Sequence, residues 1–133
     1  MCGIFLEVCS ESREPWASLA VQDCITRRGP DSLEELHLCV ADAQHFTAVS
    51  SVLHLRGAET VAQPLVSDAF VLQWNGEIFA YDGEDQHAPG EAVDFSLLSA
   101  NDTQFLFSLL PKYKLAEILV RISGPWAFTL LSR

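Results

Sequence analysis

The sequence predicts an α+β domain, and three observations carry that reading. A partly β-branched apolar run stands almost at the N-terminus, residues 2 to 8 ("CGIFLEV"); the middle of the chain alternates or runs apolar in strand fashion; and two later and one earlier stretch repeat apolar residues at helical spacing. The length of 133 residues suits one domain, and 49% hydrophobic with 20% charged residues is enough to bury a core.

The elements follow in chain order. Residues 2 to 8 read as a buried strand that anchors Cys2 in a sheet. After the turn-rich "CSESREP", Pro15 suits a first helical turn, and Trp16, Leu19, Ala20 and Cys24 follow as one stripe. That helix ends before Gly29-Pro30, because proline disfavours a helical residue ahead of it. "EELHLCVAD" and "HFTAVSSVLHLR" read as strands, and "AFVLQWNGEIFAY" as two strand-like runs around Asn75-Gly76, the leading short signal for a type I′ hairpin. Residues 82 to 100 are acidic, hold Gly83, Pro89 and Gly90, and read as a loop or insertion. Asp102 is the expected cap of a helix whose stripe is Phe105, Leu106, Leu109 and Leu110. A second stripe, Leu115, Ile118, Leu119 and Ile122, stops at Gly124-Pro125, and "WAFTLLSR" reads as a last strand.

Eighteen acidic against eight basic residues give a formal charge of −10, which repels phosphate backbones and anionic lipid, so no nucleic-acid or membrane partner is expected. No window approaches the roughly 20 apolar residues of a membrane span, and no basic leader precedes the first apolar run; the expected location is cytoplasmic. The four cysteines, at 2, 9, 24 and 39, form no C-x-x-C pair, so Cys24 and Cys39 read as small buried hydrophobes. His37, His45, His54 and His87 have no recurrent ligand spacing, and no metal is expected.

Cys2 is where chemistry is expected. If Met1 is removed, one residue carries a thiol of pKa about 8.5 and an α-amine of about 7.7 to 8.0, a nucleophile with its own base. In "WNGEIF" the Asn75 amide and the Gly76 N–H are two neutral donors on a rigid bend, suited to a developing oxyanion. "RRGPD", residues 27 to 31, reads as a basic helix end followed by a Gly-Pro turn. Arg56 and Asp102 read singly as solvated charges at element ends; together they suit the two ends of an amino acid.

In this order "MCGI", "RRGPD", "VLHLRG", "QPL", "WNGEIF", "NDTQ" and "GPWAF" resemble the class II glutamine amidotransferases, in particular the glutaminase domain of the asparagine synthetase family. The resemblance covers nearly the whole chain. It implies a four-layer αββα N-terminal nucleophile hydrolase fold and hydrolysis of L-glutamine to glutamate and ammonia for amide transfer in asparagine biosynthesis. It implies Cys2 as nucleophile and, through its amine, base; Asn75 and Gly76 as oxyanion hole; Glu77 and Asp102 as substrate-orienting groups; and Arg56, after a small shift of register, as the carboxylate clamp.

The same resemblance makes residues 1 to 133 a partial type 2 glutamine amidotransferase domain, since the family's domain continues past "GPWAFTLLSR". No cofactor is expected here, because ATP and Mg belong to the family's synthetase domain, the expected partner in a full-length protein. An incomplete second sheet is expected to expose an apolar edge. The alternative is a catalytically inactive glutaminase-like interaction or regulatory module, or a truncated isoform.

Overall fold

In chain order the elements are β1 (Gly3–Cys9), α1 (Leu19–Arg28), β2 (Ser32–Val40), β3 (Gln44–Val52), β4 (Leu65–Val66), β5 (Phe70–Gly76), β6 (Ala80–Tyr81), α2 (Phe95–Ala100), α3 (Asp102–Leu109), α4 (Leu115–Leu119), β7 (Ile122–Ser123) and β8 (Trp126–Ser132). The computed structural model describes residues 2–10, 19–40, 44–82 and 93–133. Helix and strand are mixed as the α+β expectation requires.

The first sheet is antiparallel with order β1-β3-β2. Its central strand has both edges paired, and Ala48 to Val52 are all buried. Side chains alternate across a strand. Val49 packs with Ile25, Phe5 and Val21, and the Ser51 hydroxyl donates to the Ile25 carbonyl, so these residues face α1. Ala48, Ser50 and Val52 therefore face the other way.

The second sheet has the order β4-β5-β8, with α3 packed on β4 and β5. Leu72 and Trp74 join Ile78, Phe105, Leu106, Leu109, Leu110 and Ile118 in the larger core. Trp74 also stacks on Trp126 and Phe128 of the neighbouring strand, with centroids 6.1 and 6.3 Å away. The other face of β5 meets the first sheet. There Gln73, fully buried, has its amide nitrogen 2.8 Å from Val49 O and 2.9 Å from Ser50 Oγ, while its oxygen accepts from Thr129 Oγ1 at 2.6 Å.

Several expectations are corrected. Asn75-Gly76 is not a hairpin tip: both residues continue β5, opposite Ala127 and Trp126, because the long-range partner β8 outcompetes the local turn. The expected stripe of α1 is exposed, with Leu19 82% accessible and Cys24 at the surface; Ile25 and part-buried Val21 face the sheet instead. Pro15 and Trp16 lie outside the described residues. Cys39, like Cys24, is exposed rather than a buried hydrophobe.

Within the expected loop at 82 to 100, residues 95 to 100 form α2, capped by Asp94, whose carboxylate accepts from the Ser96 N–H at 3.0 Å. Positions 83 to 92 lie outside the described residues. Asn101, not Asp102, caps α3, its side chain accepting from the Gln104 N–H at 3.0 Å. Ile122 belongs to β7 rather than the preceding helix, and the strand expected to reach Arg56 ends at Val52. The stripe Phe105, Leu106, Leu109 and Leu110 is buried as expected, and β8 follows the expected last strand.

Candidate active site

Cys2 is set by the strand that follows it. Gly3 faces α1, its N–H bonded to Ser51 Oγ at 3.1 Å, so alternation turns Cys2 toward the second sheet. Arg28 Nε donates to the Cys2 carbonyl at 3.1 Å, and the Cys2 thiol lies 3.9 Å from Leu53 O. The residue before the strand is thus held through its own carbonyl and through the next peptide N–H.

"RRGPD" does more than end a helix. A Cβ on Gly29 would lie 2.4 Å from the Ser51 and Val52 backbone, so only glycine lets the chain cross β3 this closely. Two residues on, the Asp31 N–H donates to Val52 O at 3.0 Å and its carboxylate accepts from the His54 N–H at 2.7 Å. Arg28 and Asp31 therefore brace Cys2 and the 53–57 segment, which is not apparent from the motif alone.

A cavity of about 270 Å³ opens where these pieces meet. Cys2, Arg56, Gly76, Glu77 and Asp102 line it, together with Leu53, His54, Val61, Gln63, Trp74 and Thr103. Five of the six residues singled out from sequence are thus brought to one space. Asn75 is not among the lining residues. Its side chain shares the face of β5 used by Gln73, and its Oδ1 is buried without a hydrogen-bond partner among the described residues, as is the Trp74 indole nitrogen.

The donor geometry of "WNGEIF" comes from its pairing with β8 and with Pro125 just ahead of it. Glu77 N–H is bonded to Pro125 O at 3.0 Å. Antiparallel ladders alternate, so the Gly76 N–H one residue earlier turns away from β8. "GPWAF" supplies the support: Gly124 has φ +143°, and a Cβ there would lie 2.0 Å from Glu77 O.

Arg56 and Asp102 are bonded to each other, Nη1 to Oδ1, at 2.8 Å. The same Nη1 donates to Leu98 O at 3.2 Å and lies 3.5 Å from Ile78 O, while Asp102 Oδ2 accepts from the Ile78 N–H at 2.7 Å. They are not two separately solvated charges. Burial pushes the Asp102 carboxyl above the ordinary carboxylate range; the Ile78 N–H and then Arg56 pull it back, and Glu77 nearby pushes it further up.

Sequence reading missed Gln63 and Thr103 as site residues, although "QPL" and "NDTQ" contain them. Gln63 Oε1 accepts from the Trp74 N–H at 2.6 Å and its Nε2 donates to Thr103 Oγ1 at 3.2 Å, both residues being buried. Among the described residues no group of three or more His, Cys, Asp or Glu side chains has the geometry of a metal site. No described helix is long and apolar enough to cross a membrane.

No family model and no solved structure matches the chain. Among curated proteins it is 35% identical over 136 residues to asparagine synthetase domain-containing protein 1 of Bos taurus, 36% over 138 to that of Mus musculus and 33% over 137 to that of Homo sapiens. In each case 96% of this chain is covered, and the chain spans 19% of the relative's length. Over nearly its whole length the chain is thus similar to about a fifth of asparagine synthetase domain-containing protein 1, the relative to which its ordered motifs point.

Proposed function

We propose that this chain is a glutamine-hydrolysing domain of the class II amidotransferase type, with Cys2 as its N-terminal nucleophile. The observation that carries the reading is the convergence of Cys2, Arg56, Gly76, Glu77 and Asp102, far apart in sequence, on one cavity. A four-layer αββα arrangement is supported by α1 on β1 and β3, α3 on β4 and β5, and β1 against β5 and β8.

In this reading removal of Met1 frees the Cys2 amine, which accepts the thiol proton. The thiolate attacks the carboxamide carbon of L-glutamine, and the oxygen takes up the electron pair facing the Gly76 N–H, the expected oxyanion donor whose residue lines the cavity; the Asn75 amide is not needed for this step. Collapse returns the pair to carbon, breaks the C–N bond and releases ammonia with the proton from the amine. Water then cleaves the γ-glutamyl thioester to glutamate and restores the thiol.

Arg56 uses Nη1 on protein acceptors, while Nε and Nη2 have no partner among the described residues. That free edge is the bidentate clamp for the α-carboxylate, and Glu77 and Asp102 orient the substrate, Asp102 through its α-ammonium. Ammonia passes to a synthetase domain in a full-length protein, which also holds ATP and Mg, in the cytoplasm, for asparagine formation. The domain itself needs no cofactor or metal for this chemistry.

A second reading, a catalytically inactive interaction or regulatory module, is favoured by one observation. Arg56 and Asp102 already neutralise each other at 2.8 Å, as a structural tie would. The N-terminal mass and labelling by an electrophilic glutamine analogue separate the two. Met-free, folded protein labelled at Cys2, with the label lost in Cys2→Ala, is the expected result; unmodified Cys2 in that protein retires the enzymatic reading.

A further inference from the structure

A side chain stands where β4 would otherwise continue alongside β5. The register Leu65↔Leu72 and Val66↔Val71 extends in steps of two to Gln63 opposite Trp74 and Val61 opposite Gly76. β4 begins only at Leu65, and the Trp74 N–H is accepted by the Gln63 side chain, at 2.6 Å, instead of a strand carbonyl.

Gln63 is locked in that role. It is 3% exposed, and its amide nitrogen donates to Thr103 Oγ1 in the first turn of α3 at 3.2 Å. Seating a side chain between the two backbones holds the approach to β4 away from β5. The next N–H on the same edge of β5 is that of Gly76, and Val61, Gln63, Trp74, Gly76 and Thr103 all line the cavity. The gap in the ladder and the cavity are the same space.

We infer that Gln63 is a positioning residue: tethered by Thr103, its amide replaces the missing strand partner of Trp74 and keeps the Gly76 N–H open to the carbonyl oxygen of a bound amide. The role of that open donor rests on the glutaminase reading. Its openness does not.

Amide hydrogen exchange on the full chain tests the geometry without catalysis. In wild type the Trp74 amide is protected, and the Gly76 amide exchanges at least about tenfold faster than that of Glu77, which is bonded to Pro125 O just ahead of β8. Gln63→Leu and Thr103→Val each speed Trp74 exchange by about tenfold, and Thr103→Ser restores protection. Thr103→Val and wild type carry the test if Gln63→Leu does not fold. With glutamine, Thr103→Val lowers kcat by about 10- to 100-fold with KM changed less than about threefold, as loss of oxyanion alignment requires.

A Gly76 amide as slow as that of Glu77 overturns the inference even in an active protein. Equally, unchanged Trp74 exchange in Thr103→Val overturns it. A fast Gly76 amide in protein whose Cys2 resists labelling supports the spacer role and defeats the glutaminase reading.

Discussion

Asp102 is the residue at which charge, burial and geometry pull in different directions. Its side chain is 11% exposed, bonded to Arg56 and to the Ile78 N–H, yet desolvation outweighs both bonds and raises its proton affinity above that of the unfolded chain. The folded state then takes up the proton first as pH falls. Stability attributable to this titration rises as pH falls through the raised value toward about 3.9 and is lost as pH rises through the same window. Urea unfolding of wild type against Asp102→Asn between pH 4 and 7 should show the wild-type stability, relative to the variant, declining as pH rises. A relative stability that climbs with pH would mean the Arg56 and Ile78 bonds dominate. At this scale the sequence names the residue but not its partner, since Arg56 and Asp102 meet only after β3, β5 and α3 have assembled.

Among the elements, α3 depends on the residue just before it. Asn101 ends α2 by donating its N–H to Leu97 O at 2.7 Å and caps α3 with its side chain, so one residue closes one helix and opens the next. Asn101→Ala is expected to cost about 1 kcal/mol, visible as a lower urea midpoint at unchanged slope, while Asn101→Asp stays within about 0.5 kcal/mol. Loss of less than a few tenths would show that packing of Phe105 and Leu106 alone fixes the helix start. The local sequence "AND" offers two capping residues and cannot choose between them. Asp102 is drawn into the helix by its tertiary bonds to Ile78 and Arg56, leaving Asn101 as the cap. The α1 stripe went astray for a related reason: helical spacing fits two overlapping faces, and only Val49 and Phe5 across the gap select Ile25 and Val21.

Across the whole molecule, the two sheets meet through a buried amide. Gln73 reaches Phe5 O at 3.2 Å as well as Val49 and Ser50, and accepts from Thr129, so it ties β5 and β8 to β1 and β3. Gln73→Leu leaves the Thr129 hydroxyl without its acceptor and should destabilise by roughly 2 to 4 kcal/mol, measured by denaturant unfolding. A change below about 0.5 kcal/mol would assign the cohesion of the sheets to apolar contacts alone. The same contact keeps the Cys2 end of β1 near the Gly76 end of β5, which links the site's geometry to the packing of the sheets.

The α+β class, the strand after Cys2, the last strand, the main helical stripe and five of the residues that line the cavity are legible along the chain alone. These rest on local spacing and on motif order, which a linear chain carries. That Asn75-Gly76 extends a strand, that Arg56 pairs with Asp102, and that Gln63 fills a gap in the ladder emerges from the folded arrangement. Each of those depends on a partner dozens of residues away or on a side chain replacing a backbone group, and in both cases the competing energies exist only once the sheets are together.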